Sequence, residues 1–246
     1  QLRGRGVPSL WRELQQIRWQ PIWQPLREIF NPGYLHYLLQ QRLTQPQQHL
    51  PSHLLTEAQH KLETLLRGIE ALTGYHNNWA VILTNLQARL NLILHWPILE
   101  TKLGLPTTHR LNQALAHLQD QILTAPERWL ALVCAAFILD IGRVKDTANH
   151  KEQTLEWFET WQIPRLLSET ALDMGFTSEQ AQTLVTAVRV LIAHQDLHEH
   201  LYPPSPADLV GNWLSDPEIQ TLIGLHTHEG TPWIHKEGFE TLVALM

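Results

Sequence analysis

A single cysteine, Cys134, stands among 246 residues, so no intrachain disulfide framework can hold this chain together. That scarcity suits a reducing compartment, and a cytoplasmic location is the expectation. Cys134 lies in the run WLALVCAAFILD, where a small buried hydrophobe is a plainer reading than a nucleophile. Long apolar runs are missing too. The longest, 129–139, falls well short of the roughly 20 residues that a membrane-spanning helix needs, and no segment reads as a signal peptide. Charged residues make up only 17% and sum to −6, which gives nucleic acid or an anionic membrane no electrostatic reason to bind. Arg3 and Arg5, in the basic start QLRGRG, are too few to reverse that balance. Enzyme signatures are equally scarce: there is no GxSxG elbow, no GxxxxGK[ST] phosphate loop, no GxGxxG after a strand and no HExxH. Sustained period-2 alternation is absent, and with it a strand series or an α/β barrel.

What the chain does hold is a string of helix signals. Ser9 is a candidate cap for a helix over 9–19, and Asn31 followed by Pro32 opens another. Thr56 and Gln59 have capping-box spacing before the stripe Ala58, Leu62, Leu65, Leu66, Ile69 and Leu72, which ends ahead of Gly74. Trp79, Ile82, Leu83, Leu86, Leu90, Ile93 and Leu94 mark one face of the next helix, which Pro97 stops. Val81 and Leu92 add apolar bulk elsewhere on this helix and predict cover on more than one side. Further helices are expected near 108–123, 126–140, 149–161 and 164–174. Thr177 and Gln180 form a second box opening the stripe Ala181, Leu184, Val185, Val188, Leu191 and Ile192. Two short helices at 206–214 and 217–224 and a trace of extended chain near 231–234 precede a last short helix. The expectation is an irregular all-α globular array of about ten helices, one domain over 1–246, with a loop or sub-boundary at 45–52.

Fifteen histidines invite a metal hypothesis. In HQDLHEH, His194 and His198 are one helical turn apart, with Asp196, Glu199 and His200 beside them; HTHE adds His226 and His228. A small helical metal-dependent hydrolase built on 194–200 is therefore one reading. Polar residues are also expected at the flank of an amphipathic helix, so a solvated face explains the same residues. Carboxylates at helix-neighbour spacing, Glu152 with Glu156 and Glu156 with Glu159, look like ordinary solvated faces as well. Ten tryptophans suggest sugar-stacking platforms, but Trp11, Trp79, Trp129, Trp157 and Trp213 fall among Leu and Ile, where core packing is the better account.

The stretch AAFILDIGRVKD resembles the His-Asp motif of helical metal-dependent phosphohydrolases, in which Ile-Gly and a basic residue follow the pair. Leu139 stands in the histidine position, so the resemblance implies a lost metal ligand, and Asp140 and Gly142 then serve to end a buried helix. The C-terminal stretch LSDPEIQTLIGLHTHEGTPWIHKEGFETLVALM is similar to the helical region that follows the catalytic barrel in a subset of large bacterial α-amylase-family glycoside hydrolases. Asp216, Pro217, Glu218, Gly224, Glu229, Gly230, Trp233, Lys236, Glu237, Phe239 and Glu240 carry that similarity; Ile234 and His235 stand where Phe and Asn are expected. YHNNWAVILTNLQARL, TAVRVLIAHQDL and RGRGVPSLWREL add weaker matches.

This resemblance implies a non-catalytic accessory domain of a glucan-acting glycoside hydrolase in bacterial carbohydrate metabolism. The catalytic domain of the same or an associated protein would be its partner, and Trp233, Ile234 and Phe239 its closing clasp. It brings no catalytic residue and no cofactor, since that family's carboxylates sit in the barrel. Glucan binding stays open. With no initiator methionine at Gln1, the chain is expected to be part of something larger. A protein-binding helical adaptor is the remaining alternative.

Overall fold

A computed structural model of the chain describes residues 7–44, 51–76, 79–95 and 126–193. In order these form α1 (Val7–Ile29), α2 (Pro32–Thr44), α3 (Ser52–Thr73), α4 (Ala80–His95), α5 (Pro126–Ile138), a 3-10 turn (Ile141–Val144), α6 (His150–Thr160), α7 (Ile163–Asp173) and α8 (Ser178–Ala193). The result is an irregular all-α array with no strand among the described residues. The helices expected at 108–123, 206–214 and 217–224, and the extended trace at 231–234, lie outside those residues.

The first helix departs from expectation. It begins at Val7, ahead of Ser9, and runs on through Pro21 and Pro25 to Ile29. Pro25 has no N–H, so it leaves the Pro21 carbonyl without its helical partner. Gly68 of α3 closes on that carbonyl: a Cβ at Gly68 would collide with Pro21 O. A bare Cα is therefore what lets α1 and α3 cross so closely. Both flanks of the crossing are apolar, with Ile22 and Leu26 facing Leu65, Leu66 and Ile69 in the core.

Three helix starts test the capping signals. Asn31 Oδ1 accepts the Tyr34 N–H at 3.1 Å, which opens α2 as its Asn-Pro pair predicts. Thr177 and Gln180 bond reciprocally, Thr177 N–H to Gln180 Oε1 at 2.9 Å and Gln180 N–H to Thr177 Oγ1 at 3.2 Å. The Thr56–Gln59 box is corrected. α3 starts a turn earlier at Ser52, and the Thr56 hydroxyl instead donates to the Ser52 carbonyl at 3.0 Å. Burial of Leu54 supplies the reason, since an added turn puts that side chain in the core. At the other end Gly74, at φ 73°, donates its N–H to the Glu70 carbonyl and stops the helix.

Apolar stripes on α4 and α8 converge on α5, whose residues from Trp129 to Ile138 are all buried, while α3 packs on α1 and α4. α8 packs on α5 and α7, while α4 bridges α3 and α5. α2, α3 and α5 all pack on α4, but Val81, expected to lie under cover away from the main stripe, is instead 53% exposed. No helix among the described residues is long and apolar enough to cross a membrane.

Candidate functional site

The bend between α5 and α6 is held by backbone before it is held by charge. Gly142 sits in the 3-10 turn so close to α6 that a Cβ there would collide with the His150 carbonyl and with Thr154. The Thr154 hydroxyl accepts the Gly142 N–H at 3.0 Å and donates to the Leu139 carbonyl at 3.1 Å. Downstream, Asp146 accepts from the Ala148 N–H and the Asn149 amide, both at 2.8 Å, which folds the chain back into α6. These ties turn the end of α5 toward α4.

Asp140 occupies the centre of that bend, 2% exposed. Asn85 and Arg89, one turn apart on α4, reach its Oδ2 at 2.8 and 2.6 Å. Arg143 Nε donates to Oδ1 at 2.7 Å. His150 Nδ1 faces the Thr147 carbonyl at 3.1 Å, so that nitrogen carries hydrogen, and Nε2 stands 3.7 Å from Asp140 Oδ1. Burial pushes the Asp140 carboxyl up, but the Arg89 charge, with hydrogen bonds from Arg143, Asn85 and Arg89, outweighs it. The net result is a carboxylate held below its ordinary range.

The sequence assigns Asp140 and Gly142 to ending a buried helix, and α5 does end at Ile138; the fold adds a second role, in which Asp140 joins α4, α5, the 3-10 turn and α6 through one carboxylate. The missing signal was the partner set, since Asn85 and Arg89 lie more than fifty residues away in sequence.

These residues do not fit a divalent ion. Both carboxylate oxygens already accept guanidinium or amide donors, and a cation would have to displace them. Leu139, in the position of the motif's histidine, is fully buried and offers only a carbonyl that Thr154 already binds. Among the described residues no group of three His, Cys, Asp or Glu is placed to hold a metal. Positive charge at this carboxylate is supplied by Arg89 and Arg143, which cannot act as a Lewis acid or activate water.

A second site opens where α1 meets the α6–α7 corner. Trp157 and Trp161 stack at 4.7 Å between ring centroids, Trp19 tilts against Trp161 at 6.4 Å, and Trp23 Nε1 donates to the Trp161 carbonyl at 2.9 Å. Gln162 then takes φ 54°, a left-handed value unusual outside glycine, and redirects the chain into α7. The turn leaves a notch of about 60 Å³ lined by Trp23, Trp161, Leu166, Arg27, Arg165 and Glu169. Arg165 Nε pairs with Glu169 at 2.7 Å, while Arg27 meets no carboxylate among the described residues. Of these residues only Trp157 was singled out from the sequence: Trp19 and Trp23 on α1 and Trp161 at the end of α6 come from two distant segments that only the fold assembles.

The residues predicted from the sequence fare unevenly. Trp129 and Trp157 are core residues as expected, and half-buried Trp79 ties to Glu70 Oε1 at 2.9 Å. Glu156 accepts from Gln153, and Glu159 pairs with Arg189 at 2.7 Å, so both act as helix-surface partners. Cys134 is fully buried, and burial pushes its thiol far up. His194, Asp196, His198, Glu199, His200, His226, His228, Trp233, Ile234 and Phe239 lie outside the described residues.

Comparison with protein-family models, with curated proteins and with solved structures returned no match in any of the three. Nothing therefore ties the chain to α-amylases, glycoside hydrolases or carbohydrate metabolism, and that association is corrected. The bacterial and cytoplasmic assignments go with it. Its physical weakness lies in the motifs themselves, which are made of residue types that cap, turn or pack helices in many unrelated proteins.

Proposed function

We propose that this chain is a non-catalytic helical interaction domain, an accessory module that docks on another protein or on another part of a larger one. The observation that carries it is the saturated Asp140 carboxylate. It is the one acidic group placed where a resemblance to hydrolases pointed, and Arg89, Arg143 and Asn85 occupy it. A carboxylate so held cannot serve as a general base, nor accept a metal without breaking bonds that join four elements. What remains is a packed core with a half-buried aromatic corner beside exposed Arg27, a composition that suits recognition.

Two measurements test this reading. Affinity purification of the full chain from its own cells should bring down a stoichiometric protein partner, identified by mass spectrometry. Titration with Mn²⁺ or Zn²⁺ and assay against a generic phosphodiester should yield no metal-dependent turnover. Turnover that Asp140→Asn abolishes would overturn the proposal.

A further inference from the structure

The notch between α1 and the α6–α7 corner is small for a cofactor or a sugar. Ligand pockets run from about 300 to 1,000 Å³, against about 60 Å³ here. That space suits the tip of one side chain. Its apolar walls are half-buried Trp23 and Leu166 over the edge of buried Trp161, and the bond from Trp23 to the Trp161 carbonyl holds them in place. Trp23 spends its only donor on the Trp161 carbonyl, so its indole offers contact area and no further hydrogen bond into the notch.

The rim supplies the polarity. Arg165 is engaged by Glu169 across one helical turn, and the pair cancels. Arg27, exposed on α1, is the uncompensated charge of the rim among the described residues, on a chain whose net charge is −6. A guanidinium beside an aromatic wall favours a carboxylate bonded through two N–H groups, and it disfavours a cationic ligand.

We infer that this notch docks a peptide segment of a partner protein that places one apolar side chain between Trp23, Trp161 and Leu166 and a neighbouring Asp or Glu on Arg27. The inference rests on the interaction-domain reading and names where and by what chemistry the partner binds. Rigid walls lower the ordering cost of docking, and a lone charge on the rim sets direction and salt dependence.

The test uses the full chain and a phage-displayed random heptapeptide library. Enriched peptides should share an apolar residue within about three positions of an acidic one, because one extended residue spans roughly 3.3–3.6 Å. Fluorescence anisotropy of a labelled consensus peptide should then show at least a tenfold loss of affinity in Arg27→Glu. Circular dichroism melting checks that the variant is folded. A peptide with its acidic residue changed to Lys should regain affinity for Arg27→Glu, a charge swap that a merely structural role for Arg27 would not produce.

Peptides that bind equally well to Arg27→Glu would place docking elsewhere and overturn this inference, while a partner recovered from cells would still uphold the interaction-domain reading. A library that enriches nothing overturns the inference as well. Enrichment of basic peptides would do the same, because they would be read by Glu169 instead.

Discussion

The bend after α5 and the corner where α1 meets α7 both join distant helices, yet they do so with opposite chemistry. At the bend, Asp140 is surrounded by donors until each of its oxygens is engaged. At the corner, four indoles and one N–H···O bond set the geometry, and the charged groups are pushed to the rim, where Arg27 meets no carboxylate among the described residues. A closed polar cluster spends its interactions inside the fold. An aromatic corner fixes its shape with apolar area and keeps a charge for something outside.

Substitution should therefore hurt the bend far more than the corner. Asp140→Ala removes the carboxylate that Arg89 and Arg143 share in a half-buried site, and removing one partner of a buried ion pair costs about 3–5 kcal/mol. Urea denaturation of the variant should register that loss; a cost under about 1 kcal/mol, as for an exposed pair, would mean that the cluster is no sturdier than the surface. Acid should act in the same direction. The folded carboxyl lies below its unfolded value of about 3.9, so its contribution is complete above that pH and is lost as pH falls through the lower folded value. Melting temperature should drop more steeply from about pH 4 to about pH 2 in the wild type than in Asp140→Asn.

Gly142→Ala strikes the backbone of the same bend without touching a charge. The added methyl meets the His150 carbonyl and the Thr154 backbone, neither of which can swing aside. Overpacking of this kind costs about 3 kcal/mol, and it should also loosen the Asp140 cluster by shifting α6. Amide exchange at Gly142 and Thr154 would reveal that coupling. Trp23→Phe is the corresponding change at the corner. It deletes the N–H that meets the Trp161 carbonyl and trims one wall, for an expected loss of about 1–2 kcal/mol. If Trp23→Phe proved as costly as Asp140→Ala, the corner would be a structural joint too, and its openness would carry less meaning.

How much of this could be read from the sequence depends on how local the determinant is. Asn31 with Pro32, Thr177 with Gln180 and Gly74 act within four residues, and each does what its spacing predicts. Thr56 fails by the same standard, because burial of Leu54 adds a turn that the cap pattern alone does not reveal. The all-α class and the stripes of α3 and α8 were legible because periodicity repeats along one helix. Both candidate sites were hidden. Asp140 gains its meaning from Asn85 and Arg89, and Trp161 from Trp23, 138 residues away. The helix expected over 9–19 runs on through Pro21 and Pro25, and Gly68 of α3 closes on the carbonyl that Pro25 frees, a pairing that no local pattern announces.

The smallest expected effect is the most discriminating. Arg27 lies on the exposed side of α1, with no carboxylate partner among the described residues, so its charge is not needed for folding. Arg27→Glu should change stability by no more than about 0.5 kcal/mol, the range of an ordinary surface substitution. It brings a new carboxylate toward Arg165 and Glu169, and the gain from one roughly offsets the repulsion from the other. Thermal denaturation at low and high salt would measure that balance. A variant that melts like the wild type but no longer binds peptide separates recognition from folding, which the bend cannot do, since every group that touches Asp140 also holds helices together. A clear loss of stability in Arg27→Glu would instead show that the rim charge is tied into the fold, and the contrast between a closed bend and an open corner would fail.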